Sequence, residues 1–301
     1  MNVYFYERSD LACEVRTGSG DGGGIPAEEV RNVDRFRIRT IHIRSNEEAD
    51  RLGKEMGRYV TIECGSFFAL SPEERRLLEG LLAGELRGLA RRLTGKKIGS
   101  DFSVLVAGLG NRDLTADAIG PLTVGGLTVT RHLSSYDGRL YRTLGCASVS
   151  AVAPGVLGQT GVETLELLLG AVQAVSPDLV LLIDALAAGD LSRLSSTVQL
   201  SDTGIAPGSG VGNRRERIDR NTLGVPVISI GVPTVVDSST LVWSALRRAE
   251  IKDIPDSLRE VLENGRSFFV SPKESDLLVA SAASLLAHGI DRAFVGALAE
   301  G

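Results

Sequence analysis

Three short, almost uninterrupted apolar runs constrain the fold of this chain more than any other feature of its sequence. They are FSVLVAG at 102–108, DLVLLIDAL at 178–186 and VPVISIGV at 225–232. A strand that is covered by helices on both faces has this pattern, because nearly every side chain along it is buried. Helical patterns separate the runs, so the sequence predicts an α/β fold with a doubly wound, mainly parallel sheet flanked by helices.

The first part of the chain predicts a different kind of strand. The segment RFRIRTIHIR at 35–44 alternates apolar and basic residues and then shifts phase at Ile41. This pattern predicts a strand with one buried face that is interrupted by a β-bulge. The segment RYVTIEC at 58–64 is a second candidate strand. We therefore expect an additional antiparallel or mixed strand region over residues 11–65, followed by an α/β core over residues 66–301.

Helix starts are marked by capping boxes, in which a Ser or Thr N-cap is followed three residues later by Glu. The predicted boxes are Ser71 with Glu74, Thr160 with Glu163, and Ser271 with Glu274. Pro72 and Pro272 follow two of these caps, as is common at the first helical position. We therefore expect a helix to begin directly after each cap.

Charge and cysteine content exclude several classes of function. The chain carries 33 Lys and Arg against 38 Asp and Glu, and its formal net charge is -5. Both signs are scattered, so we expect no nucleic-acid or membrane partner. Cys13, Cys64 and Cys146 are widely spaced, which predicts neither a disulfide framework nor a zinc site. No signal peptide is evident, and no apolar run approaches the roughly 20 residues of a membrane span. A soluble, cytoplasmic protein is expected.

Two acidic residues are associated with the carboxyl ends of the first two apolar runs: one lies in the loop after the first run, and the other closes the apolar part of the second. Asp117 lies in GLGNRDLTADAIGP at 108–121, and Asp184 closes LVLLID. Catalytic groups of open parallel sheets gather beyond the carboxyl ends of the strands, so neighbouring strands would bring these carboxylates together. In such a pair the charged acid can take a proton from water while the neutral acid donates one to an amide. The structural alternative is that Asp117 complements a helix N-terminus and Asp184 caps strand-end amides.

Two glycine-rich loops leave other functions open. The first, at 108–121, lacks the third glycine of a dinucleotide fingerprint, and Asp113 stands in its place. The second, SDTGIAPGSGVGNRRE at 201–216, suits an extended peptide, an anion or a plain surface crossover. Its candidate substrate-binding residues are Gly208, Gly210, Gly212 and Arg214. A non-enzymatic anion- or nucleotide-binding module is therefore an alternative. The three histidines occur in unrelated contexts, so no metal site is predicted.

A series of segments, in order along the chain, strongly resembles the germination protease family of spore-forming bacteria. They are RSDLA, GRYVTIE, VAGLGNRDLTADAIGP, TRHL, APGVLGQTGVET, IDALAA, SDTGIAPGSGVGNRR, GVPVISIGVPTVVD and VSPKESD. The resemblance implies an endopeptidase that degrades small acid-soluble spore proteins during germination, with a fold similar to that of hydrogenase maturation endopeptidases. In this family the proposed catalytic acids lie in the G-x-G-N…D-A-x-G-P and I-D-A-L-A segments, which here carry Asp117 and Asp184.

The same resemblance implies a zymogen that cleaves its own Asp10–Leu11 bond. Residues 1–10 would then be a propeptide, and residues 11–301 a single protease domain. It also implies a homotetramer in the forespore or spore core, with no cofactor. A nickel-dependent peptidase of the hydrogenase maturation type is the enzymatic alternative. The sequence departs from the family at Gly189 and Asp190, which stand where an arginine is familiar.

Overall fold

A mixed β-sheet runs through the molecule. The computed structural model describes residues 9–14, 28–207, 216–251, 253–264 and 268–296. Within these residues the strands are β1 Glu28–Val33, β2 Phe36–Ile43, β3 Gly57–Glu63, β4 Ser103–Gly108, β5 Ser148–Val152, β6 Leu179–Ala188, β7 Thr197–Ser201, β8 Val227–Asp237 and β9 Phe269–Val270. Their order across the sheet is β1-β2-β3-β7-β8-β6-β4-β5, and β9 pairs with β8.

Helices connect and cover these strands. They are α1 Asn46–Leu52, α2 Pro72–Thr94, α3 Ile119–Gly125, α4 Leu133–Tyr136, α5 Gly138–Leu144, α6 Leu157–Thr160, α7 Thr164–Val175, α8 Arg220–Leu223, α9 Ser238–Arg248, α10 Asp256–Asn264 and α11 Ser275–Phe294. Short 3-10 turns lie at Ala12–Glu14, Phe67–Ala69, Thr115–Asp117 and Leu191–Arg193.

The three apolar runs form the parallel centre of the sheet, as predicted. β4 pairs with β6 and β6 pairs with β8, all in parallel. One face of these strands, with Val104 and Ile183, packs against α2, α3 and α11. The opposite face, with Leu105 and Val180, packs against α7 and α8. Both faces are covered, which explains why the runs are apolar throughout. The predicted doubly wound α/β class is confirmed.

The N-terminal strands extend the same sheet in antiparallel fashion. β1 pairs with β2, β2 with β3, and β3 with β7. β7 in turn pairs antiparallel with β8, next to the parallel centre. The expected antiparallel strands are therefore present, and they form one edge of the sheet that also contains the parallel strands.

The predicted β-bulge in β2 is wrong. This strand pairs in continuous register with β1 as far as Ile41 and with β3 as far as Ile43. Phe36 and Ile38 pack in the main core, whereas Ile43 faces the other way and packs with Ala12 and α1. The apolar pattern shifts phase because the second face of the strand is covered near its end.

Only one of the three predicted capping boxes is correct. Ser71 and Glu74 form the box that starts α2. The box of α7 is instead formed by Glu163 and Glu166, because Gly161 at φ 71° ends α6 just after Thr160. Helix α11 begins at Ser275 with Glu274 as its N-cap, because a turn from Pro272 to Ser275 precedes it. Ser271 therefore does not cap α11.

Helix α11 is long and apolar enough to cross a membrane by length and composition alone. Most of its apolar residues are buried inside the molecule, including Leu285, Leu286 and Ile290. They pack against the sheet and α2 as part of the main core. Core packing therefore accounts for the apolar character of this helix.

Candidate active site

A cleft of about 610 Å³ opens where the parallel strands end. Its walls include Asp117, which follows β4, and Asp184, which lies in β6. Gln199 and Ser201 of β7 line another side. The cleft therefore lies beyond the carboxyl ends of the central strands, where ligands of open α/β sheets usually bind.

The turn after β4 fixes the position of Asp117. Asp117 ends the 3-10 turn, and its Oδ2 accepts a 2.7 Å hydrogen bond from the Asn111 amide. Gly110 has φ 106°, and a Cβ placed on it would lie 2.1 Å from the Asp117 carbonyl oxygen. Only glycine fits this contact, because any side chain would push Asp117 away.

A second glycine ties this turn to the strand that carries Asp184. Residues 108 and 183 are partners in the β4–β6 register, and the Leu109 amide donates to the Ile183 carbonyl at 2.8 Å. A Cβ on Gly120 would lie 2.3 Å from the Leu109 oxygen and 2.6 Å from the Ile183 oxygen. The start of α3 therefore rests directly on the two strand ends. This packing keeps the turn that carries Asp117 next to Ile183, which directly precedes Asp184.

Asp184 is buried in the wall of the cleft, with 7% of its surface exposed. Its partner in the β6–β8 register is Gly231. Its Oδ1 accepts a 2.9 Å hydrogen bond from the Ala185 amide. Both acids thus accept a backbone amide, as the structural alternative expects, and both also line one open cleft. Lining the cleft is what gives both acids access to a ligand.

The segment Ser9–Glu14 is docked against residues that line this cleft, and Asp10 lines the cleft itself. The Asp10 amide donates to the Ala187 carbonyl, and the Ala187 amide donates to Asp10 Oδ2, both at 2.9 Å. Leu11 is fully buried and packs with Leu186 of β6. Asp184 is on the same face of β6, two residues or about 6–7 Å along the strand from Leu186. The predicted cleavage residues therefore contact β6 two and three positions beyond one of the predicted catalytic acids.

Polar side chains hold the backbone of this segment. The Gln199 carboxamide accepts from the Ala12 amide at 2.7 Å and donates to the Asp10 carbonyl at 3.1 Å. The Lys54 ammonium donates to the Ser9 carbonyl at 2.8 Å. Burial lowers the pKa of Lys54, and the negative charges of Asp10 and Glu14 oppose this shift. Residues of the cleft wall thus hold the main chain on both sides of the Asp10–Leu11 bond, and the segment then folds into the 3-10 turn Ala12–Glu14.

Sequence patterns missed Gln199 and Lys54. Gln199 and Ser201 are polar residues at alternate positions of the buried strand β7, and this alternation was the available signal. Lys54 lies in a surface-like charged stretch and carries no such signal. The predicted substrate-binding residues Gly208, Gly210, Gly212 and Arg214 lie outside the described residues. The neighbouring residues 204–207 line the cleft.

The described part of the chain contains no group of three or more His, Cys, Asp or Glu residues arranged to hold a metal ion. Its three cysteines are free. Burial raises the pKa of the Cys64 and Cys146 thiols.

Comparison with known proteins points to one family. The family model described as germination protease matches residues 14–247. The chain is 36% identical to a germination protease of Clostridium acetobutylicum, over 97% of this chain and 96% of the relative. It is 40% identical to that of Caldanaerobacter subterraneus, over 97% and 95% of the two chains. A germination protease of Bacillus subtilis is 41% identical over 80% of this chain and 66% of its own.

A solved structure also shows similarity. It is a [NiFe] hydrogenase maturation protease from Thermococcus kodakarensis, and it is 20% identical to this chain. The match covers 54% of this chain and 93% of that protein, with a TM-score of 0.31.

Proposed function

This chain belongs to the germination protease family and is a spore-germination endopeptidase, and we propose that Asp117 and Asp184 are its catalytic pair. One observation carries the proposal: both acids line a single cleft, and a peptide segment of the chain itself is docked against the wall of that cleft. The pairing of β4 with β6 supports it, because neighbouring parallel strands end at the same edge of the sheet.

The proposed chemistry uses the two acids in opposite protonation states. The charged carboxylate takes a proton from water as the water oxygen attacks the peptide carbonyl carbon. The neutral carboxyl group donates its proton to the leaving nitrogen, and the C–N bond breaks to give a carboxyl group and an amine. Proton exchange then restores the starting pair. Two acids in one partly desolvated cleft favour such unequal protonation, because two like charges there repel each other.

The chain is further proposed to be a zymogen that cleaves its own Asp10–Leu11 bond. Asp10 lines the cleft, Leu11 packs beside it against Leu186, and Gln199 binds the main chain on either side of the bond. Residues 1–10 are then the propeptide and residues 11–301 one protease domain. The continuous sheet supports a single domain, since β3 joins the N-terminal strands to β7 and β8.

Family membership supports the remaining parts of the proposal. The substrates are small acid-soluble spore proteins, and the enzyme acts in the cytoplasm of the forespore or spore core as a homotetramer. It needs no cofactor and has neither a nucleic-acid nor a membrane partner.

The test is to incubate the full-length protein at mildly acidic pH, to sequence its new N-terminus and to follow digestion of a small acid-soluble spore protein. We expect a new N-terminus at Leu11. Asp117→Asn and Asp184→Asn should each lose self-cleavage and digestion while melting as the wild type does. Asp113→Asn is the matched control, because Asp113 is an exposed acid of the same loop. Full activity in either folded variant of the pair would refute the mechanism.

A further inference from the structure

The side-chain carboxamide of Gln199 contacts the carbonyl group of the proposed cleavage bond. Its Nε2 donates to the Asp10 carbonyl oxygen at 3.1 Å, and this is the carbonyl of the Asp10–Leu11 peptide. Its Oε1 accepts from the Ala12 amide at 2.7 Å. Because a backbone amide can only donate, this second contact decides which end of the carboxamide faces Ala12 and turns the N–H toward Asp10. The donor is thus aimed at the oxygen atom whose charge changes during hydrolysis.

The sheet holds this donor in place. Gln199 is the middle residue of β7 and is only 8% exposed. Its register partners are Thr61 of β3 on one side and Gly231 of β8 on the other. A donor that a paired strand holds in a buried position needs little rearrangement when negative charge develops beside it. The carboxamide is therefore preorganised.

One row of the sheet joins Gln199 to Asp184. Gly231 is the register partner of both residues, so the three lie side by side across β7, β8 and β6. Two strand spacings, or roughly 10 Å, separate the Cα atoms of Gln199 and Asp184. Both residues line the cleft. A Cβ on Gly231 would lie 2.4 Å from Leu186, so glycine lets Leu186 lie over β8, and Leu11 packs against Leu186. An acid, a hydrogen-bond donor and the proposed cleavage bond thus share one face of the sheet.

We propose that Gln199 is a catalytic residue whose carboxamide N–H stabilises the negative charge that develops on the scissile carbonyl oxygen. This inference rests on the proposed function, because it takes Asp10–Leu11 as a bond that the enzyme cuts. When the water oxygen adds to the carbonyl carbon, an electron pair of the C=O bond moves onto the oxygen. The pair returns when the C–N bond breaks, so Gln199 loses no proton. Its hydrogen bond is stronger to the charged oxygen than to the neutral carbonyl, and this difference lowers the barrier.

The test compares two measurements on the full-length protein at mildly acidic pH. The first is the rate constant for cleavage after Asp10, followed by mass spectrometry. The second is the hydrogen-exchange protection of the Asp10 amide in the chains that are still intact. This amide donates to the Ala187 carbonyl, so its protection reports how firmly the segment is docked.

Gln199→Met should affect the two measurements unequally. It should lower the protection of the Asp10 amide by up to about tenfold, because it removes ordinary hydrogen bonds to the segment. It should lower the cleavage rate constant by about 10²–10³, because removing one donor to the charged oxygen has an effect of that size. Gln199→Asn keeps a polar group but is one methylene too short to reach the carbonyl. It should show the same unequal losses, and thermal melting checks that both variants fold.

Lys54→Met provides the matched comparison. The Lys54 ammonium donates to the Ser9 carbonyl at 2.8 Å, one residue before the bond, and that oxygen gains no charge in the reaction. Lys54→Met should therefore lower cleavage only by the factor by which it lowers the protection of the Asp10 amide. Gln173→Met makes the same substitution as Gln199→Met at an exposed position of α7 and should change neither measurement.

The inference and the proposed function fail in distinguishable ways. If both Gln199 variants lose cleavage only in proportion to the protection of the Asp10 amide, the inference is overturned. The inactivity of Asp184→Asn would then still support the catalytic pair. If Asp184→Asn cleaves normally, the pair is refuted, and a larger loss of cleavage than of protection in Gln199→Met would still support the inference. A wild type that leaves the Asp10–Leu11 bond intact contradicts both.

Discussion

Buried acids occur in two regions of this molecule, and they differ in what surrounds them. On the helical side, Glu79 of α2 and Asp291 of α11 are 7% and 4% exposed, much like Asp184 at 7%. Asp291 accepts hydrogen bonds from the amide and hydroxyl of Thr128, at 3.1 and 2.7 Å. Glu79 lies 3.1 Å from Arg75. Neither acid lines the cleft, whereas Asp117 and Asp184 do.

The comparison shows that burial alone does not identify a reactive acid. Glu79 joins α2 to His288 and Arg292 of α11, and Asp291 joins α11 to Thr128, so these two acids hold packed elements together. At the carboxyl ends of parallel strands the chain must turn away into loops and helices, so a cleft remains there. The same chemical group thus holds packed elements together in one region and lines a cleft in the other.

The largest expected effect is on catalytic activity, and it should differ between variants of the two regions. Asp184→Asn should lower kcat/KM for peptide hydrolysis by about 10²–10⁴, because it removes one of the two proposed proton-transfer groups. Asp291→Asn should leave kcat/KM within about threefold of the wild type, since its partners are Thr128 groups far from the chemistry. Steady-state kinetics on both purified variants provide the measurement. A folded Asp291→Asn protein without activity would contradict the difference between the cleft acids and the acids of the helical side.

A second pair of variants contrasts two fully buried leucines. Leu11 belongs to the docked segment and Leu286 to α11, and both are 0% exposed. Each Leu→Ala change should cost about 2–5 kcal/mol. For Leu286 the cost should appear in the free energy of unfolding, whereas for Leu11 it should appear only as easier release of the segment. Thermal melting and hydrogen exchange of residues 9–14 measure the two. Equal losses of global stability would show that the segment is an ordinary part of the core.

A third pair tests the contact between α3 and the strand ends. Gly120→Ala should destabilise the protein by about 1–3 kcal/mol, because its Cβ would overlap two backbone oxygens. It should also lower activity by displacing Asp117. Gly125→Ala lies in the same helix, where a Cβ would meet nothing within 4 Å. It should be neutral or stabilise by up to about 1 kcal/mol. Denaturant unfolding and kinetics on both variants would reveal any departure from this order.

The smallest expected effect is a pH dependence of segment docking. Burial raises the pKa of the Glu14 carboxyl group, and the Ser9 and Gly189 hydrogen bonds and the Arg193 charge oppose the rise. The docked state therefore holds the proton more tightly than the released state. The free-energy advantage of the docked state from this proton is complete below the ordinary Glu pKa of 4.5. It is lost as pH rises through the raised pKa of Glu14. The hydrogen-exchange protection of residues 9–14, which is the intrinsic rate at each pH divided by the observed rate, should thus fall across this range, and Glu14→Gln should abolish the trend. Protection that rises with pH would reverse the sign of the linkage.

Local sequence pattern was sufficient for much of the fold. The continuous apolar runs identified β4, β6 and β8, and the Ser71 box identified the start of α2, because these signals depend on residues close in sequence. The β2 bulge and two capping boxes were wrong for the opposite reason. The phase shift at Ile41 depends on cover from another part of the chain, and the start of α7 depends on the turn at Gly161.

In the candidate site too, some residues follow from local sequence and others depend on distant parts of the chain. Its two acids were found from the sequence, because a strand end and an acid are both local features. Gln199 contacts Ala12 across 187 positions of sequence, and Glu14 meets Gly189 across 175. No local pattern encodes such contacts.

The sequence by itself determined the strand and helix types, the fold class and which acids stand at strand ends, since side-chain periodicity and backbone preferences act over a few residues. Only the tertiary structure decided that β4 and β6 are neighbours, that the acids following and within them line one cleft, and that Ser9–Glu14 docks against its wall. Those outcomes depend on how distant surfaces bury each other, and that choice is made by the packing of the whole sheet and its helices.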